Sequence, residues 1–501
     1  MSGLFGSLSV ALSGLSVSQQ EMETTSNNVA NANTPGYTRE VADVTPGDPV
    51  EIGSLSVGTG VVLEKIESLR DPMLQIQINQ ATQQNSALNA SLTQLQQIQT
   101  QFASDTSGIG ADISNFFNSL QQLSPDPSDL TLRQGVLTAA NTLATDFNTA
   151  AQSLQTQRSN VDQNVVQSVT QVNSLTSQIA SVDQQIGNLQ SIDQDPGALV
   201  DTQNNLIQQL SALVDVQVIP TGQGITVATS NGTTLVSGSQ SFALTTQADD
   251  GVQHIMAGTE DITSSLTGGS LAGLIQIRDQ EIPGIGTSLD RLAEGLATNL
   301  NAANAKGFDL ENPPVQGGNI FATPPAGGVG AAAALTVGMT DPSLIAASSD
   351  GTTGSNGNLA NLSAVADQAV ANGQTPIDAY STLVGQVGST TSNTSADADA
   401  SNAILQQLQD QNGSVSGVSL DEEASNLIQY QSAYQAAARV VSTVNLLLLD
   451  AQLQISQQQN TLGGANMAAA ATNLSQAQTD NQAALAAISK LAQDNLFSYL
   501  T

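Results

Sequence analysis

The side chains that could carry chemistry in this sequence are few and scattered. The chain has one histidine, His254, and no cysteine, so thiol catalysis and histidine-rich metal sites lack the residues they need. Serine is abundant, but no Gly-x-Ser-x-Gly elbow presents one as a nucleophile. We therefore predict that the protein is not an enzyme and that it holds no cofactor and no metal.

Two carboxylate pairs are the remaining candidates for acid–base chemistry or cation binding. Glu422 and Glu423 are neighbours in a helical pattern, where successive side chains diverge, so we expect both to be solvated. Asp397 and Asp399 could attract Ca²⁺ weakly, but the spacing of a calcium-binding loop is absent. The Gly-Thr-Gly at 58–60 has no lysine and no following helix that would make it a nucleotide-binding loop.

Composition excludes further classes of partner. The 501 residues carry 43 acidic and 10 basic side chains, a formal net charge of −33, which repels phosphate groups. We predict that the protein binds neither nucleic acid nor a membrane. An apolar run of about 18 residues, as a transmembrane helix needs, is absent, and no basic region precedes an apolar core at the N-terminus. We expect neither a membrane span nor a cleavable signal peptide.

An asparagine-rich stretch at 27–39 connects the first predicted helix to the β-like segment that follows it. A helical pattern runs into it and a β-like pattern leaves it. Proline restricts the residue before it and glycine permits positive φ, so the pair at 35–36 stops a helix, and the asparagines suit the turn after it. The helix-ending signature consists of Asn28, Asn31, Asn33, Pro35, Gly36 and Tyr37.

Two amphipathic helices stand at opposite ends of the main part of the chain. Their apolar side chains recur at alternating steps of three and four, as in a coiled-coil seam. Each stripe needs a partner, because an isolated helix of this length is marginal in water. We predict that the helices pair with each other or with neighbouring subunits through Leu4, Leu8, Leu15, Met22, Val29, Leu420, Leu427, Tyr434, Val441 and Leu448.

The predicted fold is mainly α with small β parts: long terminal helices of coiled-coil type, a helical-bundle body and small antiparallel sheets. The periodicity divides the chain into an N-terminal axial helix (1–35), a body (36–417), a C-terminal axial helix (418–455) and a linker with an extra helix (456–501). Within the body we predict a β-rich part (36–69), a helical bundle (70–214), a small sheet (215–257) and a helical and loop region (258–417). In the bundle, Ser128 or Asp129 caps a helix that runs to about 155, and a separate pattern covers 158–190. A short helix is predicted at 341–348.

Several stretches resemble those of flagellar axial proteins. The run 27–39 is similar to the signature of rod, hook and hook-associated proteins. Other segments narrow the resemblance to the hook-associated protein 1 family, in this order: 57–61, 69–72, 268–274, Arg278-Asp279, 306–310 and 417–434. The resemblance covers about residues 1 to 455 in order.

Three features depart from that family. Its Leu-Leu-Asp-Gln-Arg-Asp type motif reads Leu-Val-Asp-Thr-Gln-Asn at 199–204, without the Arg and the second Asp. Many members carry a large outer β domain after the position of Phe321, whereas here only the Ala-, Gly- and Pro-rich residues 322–340 follow, so we expect that domain to be reduced or absent. Members also end soon after the helix that closes here near residue 455. Residues 456–501 continue instead, and their end resembles the C-terminus of flagellin and of hook-associated protein 3.

The resemblance implies a structural component of the bacterial flagellum that lies outside the cell, joins hook to filament and is assembled after type III export. Implied partners are an export chaperone, the hook protein, a second junction protein of the hook-associated protein 3 type, and further copies of the chain in a ring of about eleven. The alternative is a secreted helical surface adhesin or filament-associated enzyme. That alternative needs a large variable domain with a clustered site, for which 322–340 leaves little room.

Overall fold

The computed structural model describes residues 2–52, 55–102, 108–192, 194–222, 224–461 and 468–493. Long helices dominate and the strands form small antiparallel sheets, which confirms the predicted fold class. Two compact units make up the chain. The first, Met1–Asp71 with Gly413–Thr501, contains both chain ends, and the second is Pro72–Asn412. The prediction began the body at residue 36, whereas here the strands of 36–69 belong with the terminal helices.

The described α-helices, in chain order, are α1 Ser2–Asn31, α2 Pro72–Phe102, α3 Ile109–Leu123, α4 Leu130–Gln190, α5 Gly197–Leu213, α6 Gly269–Gln276, α7 Ile282–Asn304, α8 Ala331–Ala334, α9 Leu359–Ala364, α10 Pro376–Ser416, α11 Leu420–Thr461 and α12 Ala468–Gln493. A π-helical turn, Ile277–Glu281, joins α6 to α7, and 3₁₀ turns lie at Thr263–Ser265, Pro342–Leu344 and Val365–Asp367.

The described strands are β1 Glu40–Pro46, β2 Val50–Ile52, β3 Leu55–Val57, β4 Val61–Ser68, β5 Gln217–Thr221, β6 Gly224–Ala228, β7 Thr234–Ser237, β8 Gln240–Ser241, β9 Leu244–Asp249, β10 Val252–Ala257 and β11 Glu260–Asp261. In the first unit β1 pairs with β4 and β2 with β3. In the second, β5 to β8 form one antiparallel sheet and β9 to β11 another, where the sequence predicted a single small sheet. Gly232, in the predicted Asn-Gly turn between β6 and β7, has a φ of +91°.

The Gly-Thr-Gly at 58–60 lies just before β4, where the strand pair meets α1. The Ser13 hydroxyl of α1 accepts a hydrogen bond from the Val61 backbone N–H at 3.2 Å. Gly60 has a φ of +105°, and a Cβ built there would collide with the Ser13 hydroxyl. This glycine therefore allows close packing of backbone on helix.

Helix α4 organises the second unit and differs from the prediction. It begins at the predicted cap, Asp129, whose carboxylate accepts from the Thr131 backbone N–H at 2.6 Å. The helix then continues without the expected break after residue 155. Leu154 and Val161 are buried on one face and Gln157 lies between them, its amide donating to Gln97 Oε1 at 2.7 Å. With no proline there and a paired glutamine on the core face, nothing interrupts the backbone.

The segment after α7 contains little regular structure. Residues 322–340, all of them described, hold only the short helix α8 and no strand. The predicted helix at 341–348 is wrong beyond the turn Pro342–Leu344. The backbone there bonds to side chains instead: Arg133 Nη1 donates to the Ile345 carbonyl at 2.6 Å, and the Ala346 N–H donates to Asn304 Oδ1 at 3.0 Å. These long-range partners compete with helical hydrogen bonds.

Candidate assembly interface at the paired terminal helices

The end of α1 is held by a buried asparagine. Asn28 is 1% exposed, and its amide nitrogen donates to the Glu40 carbonyl at 2.8 Å and to Glu423 Oε2 at 3.2 Å. Its oxygen accepts from the Tyr37 hydroxyl at 2.9 Å and from the Glu40 backbone N–H at 2.9 Å. Both donors and both lone pairs of the amide are therefore used. An apolar or acidic residue of this size would leave buried groups of its neighbours unpaired.

Arg39 links the same place to the start of α11. Its Nε donates to Glu423 Oε1 at 2.6 Å, and its Nη2 lies 2.9 Å from Glu422 Oε1. The Arg39 side chain is 14% exposed, Glu423 is 1% exposed and Glu422 is 55% exposed. We call Asn28, Tyr37, Arg39, Glu422 and Glu423 the polar lock. The planar, forked guanidinium can reach two carboxylates on successive residues, which lysine could not do in this way.

The two glutamates correct a prediction. Both were expected to be solvated, yet Glu423 is buried and paired with a cation and an amide. The local argument that neighbours diverge on a helix holds, since Glu422 remains exposed. The argument failed for Glu423 because its partners come from positions almost 400 residues earlier. The signal available in the sequence was complementary charge: a basic residue follows the first helix, and an acidic pair begins the last long one.

Electrostatics favour the charged form of Arg39. Burial alone would lower the pKa of the Arg39 guanidinium, but the hydrogen bonds and charges of Glu422 and Glu423 outweigh it and raise that pKa. Nearby, burial raises the pKa of the Tyr430 hydroxyl, and the charges of Glu21 and Glu423 add to this. Burial also raises the pKa of the Glu21 carboxyl. The acids at the start of α11 stand at the positive end of its dipole, which stabilises them as anions.

Apolar packing continues the contact along the helices. Leu8 and Ala11 of α1 and Val441 and Val444 of α11 form a buried group that we call the terminal-helix cluster. Partly buried side chains pack around it: Leu4, Leu12, Leu448 and Ile488. Asn28 meets Glu423 near one end of this contact, and Leu8 meets the residues around 441–444 near the other, so α1 and α11 run antiparallel.

The structure distributes the ten predicted interface residues unevenly. Leu8, Leu15 and Val441 are buried, and five are partly buried: Leu4, Met22, Leu427, Tyr434 and Leu448. Val29 and Leu420 are 42% and 54% exposed in the single chain. The buried seam of α11 includes Glu423 and Val444, which the predicted list does not contain. The predicted role of these residues between subunits stays a prediction.

The rest of the helix-ending signature builds the turn itself. The Asn31 amide donates to the Asn27 carbonyl at 3.1 Å, and the Thr34 N–H donates to the Asn31 carbonyl at 2.8 Å. Gly36, after Pro35, has a φ of +76°, in the left-handed region, and Asn33 is exposed. After this turn, the Tyr37 hydroxyl and the Glu40 backbone lie within hydrogen-bond distance of the Asn28 side chain.

The other residues considered for catalysis or metal binding do not come together in a site. His254 Nδ1 lies 2.7 Å from Asp261 Oδ2 at a partly exposed sheet edge, and Asp397 and Asp399 are exposed. Within the described ranges, no three or more histidine or acidic side chains are placed to hold a metal ion. One helical stretch, Pro376–Gln459, is long and apolar enough for a membrane span by length and composition, which on its own is weak evidence. The sequence predicted none, and the stretch includes Arg439 and Asp450.

Family models match the chain in three places. The model described as "Flagella basal body rod protein" matches residues 8–38, and "Flagellar basal body rod FlgEFG protein C-terminal" matches 411–452. Between them, "Flagellar hook-associated protein FlgK helical domain" matches 95–321. The two terminal matches include every residue of the polar lock except Arg39, which follows the first match directly.

Whole-chain comparisons agree with these matches. Flagellar hook-associated protein 1 of Salmonella typhimurium is 28% identical, and the alignment covers 89% of this chain and 99% of that protein. The Bacillus subtilis protein of the same name is 29% identical, with coverage of 89% and 98%. The solved structure of the flagellar hook junction protein from Burkholderia pseudomallei shares the fold, with a TM-score of 0.62 at 21% identity, over 68% of this chain and 100% of that one. The chain is therefore similar to flagellar hook-associated protein 1 over most of both chains, and its residues 95–321 match the helical domain of that family.

Proposed function

We propose that this protein is a structural component of the bacterial flagellum, located outside the cell, that joins the hook to the filament. Its similarity to hook-associated protein 1 over most of both chains supports the role. The observation that carries the mechanism is the antiparallel pair of α1 and α11, joined by the polar lock and the terminal-helix cluster. These helices are the parts of the subunit that enter the axial assembly.

Hydrophobic burial drives the assembly step. Among the described residues, α11 carries large apolar side chains that are at least 45% exposed in the single chain: Leu420, Ile428, Val440, Leu446, Leu447, Leu449 and Leu453. Covering such side chains stabilises association by about 25 cal/mol per Å² of apolar surface, which exceeds what sparse surface ion pairs contribute. From residue 424 to residue 461, the only charged side chains of α11 are Arg439 and Asp450, so few like charges oppose packing along this helix.

The partners follow from this role. Copies of the chain add at the distal end of the hook, and the resemblance to hook-associated protein 1 implies a ring of about eleven. A heterologous contact that repeats between copies can close into such a ring. The hook protein lies on one side, and a second junction protein of the hook-associated protein 3 type lies on the other. An export chaperone holds the chain before type III export. Catalysis, nucleic acid and membranes have no part in this function.

The test is filament attachment in cells that lack their own copy of this protein. Deleting residues 2–34 or 418–455 should release filament protein into the medium instead of attaching it to hooks. A sharper variant is Val441→Asp, which places a charge in the terminal-helix cluster. Its control is Ser442→Asp, at the exposed neighbouring position. Normal filaments in V441D cells, or in either deletion, would refute the role.

A further inference from the structure

Helix α12 is a part of the first unit that the three matching family models do not cover. The family model on the C-terminal helix ends at residue 452, so α12 (Ala468–Gln493) lies beyond every family-model match. The helix nevertheless has definite contacts within the unit. The Asn481 amide donates to Asn445 Oδ1 of α11, and Ile488 packs against the terminal-helix cluster.

These contacts define the direction of α12. Asn481 of α12 meets Asn445 of α11, and the later Ile488 packs against the cluster that contains the earlier Val441 and Val444, so α12 runs antiparallel to α11. The same contacts place it alongside α1, because Leu8 and Ala11 belong to the cluster that Ile488 touches. Three helices therefore share one apolar seam at this end of the unit.

The end of α11 explains why a third helix is needed there. From the Asn28–Glu423 hydrogen bond, Ser2 falls opposite about residue 449, so α11 extends roughly 18 Å beyond the start of α1. Ile455 on that extension and Leu448 just before it line a groove together with Leu474 and Leu485 of α12 and Phe5 of α1. Without α12, this apolar surface would face water.

The cover is incomplete. The groove between these helices has a volume of about 570 Å³, much of it lined by apolar side chains. Open space in a seam forfeits the dispersion contacts that a well-packed core makes, so α12 is held less tightly than a fully interlocking helix. A helix that filled the groove better would displace it.

We propose that α12 is an intramolecular occupant of the assembly surface of α1 and α11: it covers their apolar seam in the free subunit and is displaced when a second copy packs there. This inference rests on the proposed function, because α12 and a second copy of the chain compete in it for the same surface of α1 and α11. The covered state lowers premature self-association, because a second copy must first compete with a tethered helix whose effective concentration is high.

The first test compares the full chain with a chain that ends at Thr461, by sedimentation velocity and by binding of an apolar fluorescent dye. The shortened chain should bind more dye and self-associate at about tenfold lower concentration. Within the full chain, Ile488→Asp should reproduce this change. Ala487→Asp, at the exposed neighbouring position, should not. Equal dye binding and equal association of the full and shortened chains would overturn the proposal.

A second test locks the cover in place. The chain has no cysteine, so Asn445→Cys with Asn481→Cys provides a single pair for a short bis-maleimide crosslinker. The linked chain should stay monomeric at concentrations where the shortened chain associates. Failure to link within the chain, or association despite the link, would overturn the proposal. These assays need no hook or filament, so they are independent of the filament-attachment assay in cells. That cell assay can refute the junction role without refuting the covering role of α12, and the solution assays can refute the covering role without refuting the junction role.

Discussion

The polar lock predicts very different effects for two adjacent glutamates. Glu423→Ala removes a buried acceptor from Arg39 and from Asn28, whereas Glu422→Ala removes a contact from an exposed side chain. Breaking a buried ion pair by removing one partner costs about 3–5 kcal/mol, because the remaining charge is stranded. Arg39 keeps 14% exposure and its contact with Glu422, so we expect the lower end of that range, about 3 kcal/mol. Loss of the exposed partner should cost less than about 1 kcal/mol.

Hydrogen exchange read by mass spectrometry measures this difference locally. In Glu423→Ala, amides of α1 and of the first turns of α11 should open about a hundredfold more often, while amides in the middle of α4 serve as an internal control and stay unchanged. Glu422→Ala should change exchange in α1 by less than about fivefold. Equal effects of the two substitutions would refute the assignment of the buried role to Glu423.

A paired substitution tests the physical cause. Replacing both charges, Arg39→Met with Glu423→Met, leaves no stranded ion, so it should protect α1 better than Glu423→Ala alone. A double variant less protected than the single one would show that the loss comes from packing and not from an unpaired charge.

Two further predictions concern the second unit. Burial and the neighbouring Asp146 carboxyl raise the pKa of Asp112 to about 6, above its ordinary 3.8, so the folded state binds a proton that the unfolded state has lost between those values. The stabilisation from that proton is present at pH below about 3.8 and is lost as pH rises through about 6. Asp112→Asn should therefore raise the melting temperature, measured by calorimetry, at pH 7.5 and raise it little at pH 4. A larger rise in melting temperature at pH 4 than at pH 7.5 would contradict this. Arg278 is fully buried and donates to Asp162 and Asp279 at 2.7 and 2.8 Å, so Arg278→Met should lower the free energy of unfolding by about 3 kcal/mol in urea titration, and a loss under about 1 kcal/mol would contradict the pairing.

Long periodic segments were predicted well because their signals are local. The apolar spacing of α1 and α11, the helix stop at Pro35-Gly36, the Asp129 cap and the Asn-Gly hairpin each depend on a few neighbouring residues. The helix predictions failed where side chains distant in sequence bind the segment. The helix expected at 341–348 is replaced by bonds to Arg133 and Asn304, and the break expected in α4 is bridged by the partners of Gln157.

The sequence by itself determined the helical class, the two long amphipathic helices at opposite ends of its main part, the lack of cysteine and the resemblance to hook-associated protein 1. Only the tertiary structure decided what the asparagine-rich signature does. Asn28 and Arg39 meet Glu423 across 395 and 384 positions of chain, and no local pattern records such a meeting. A buried amide or charge is stable only when its partners arrive from elsewhere in the fold, so the polar lock became visible only once both ends of the chain were packed together.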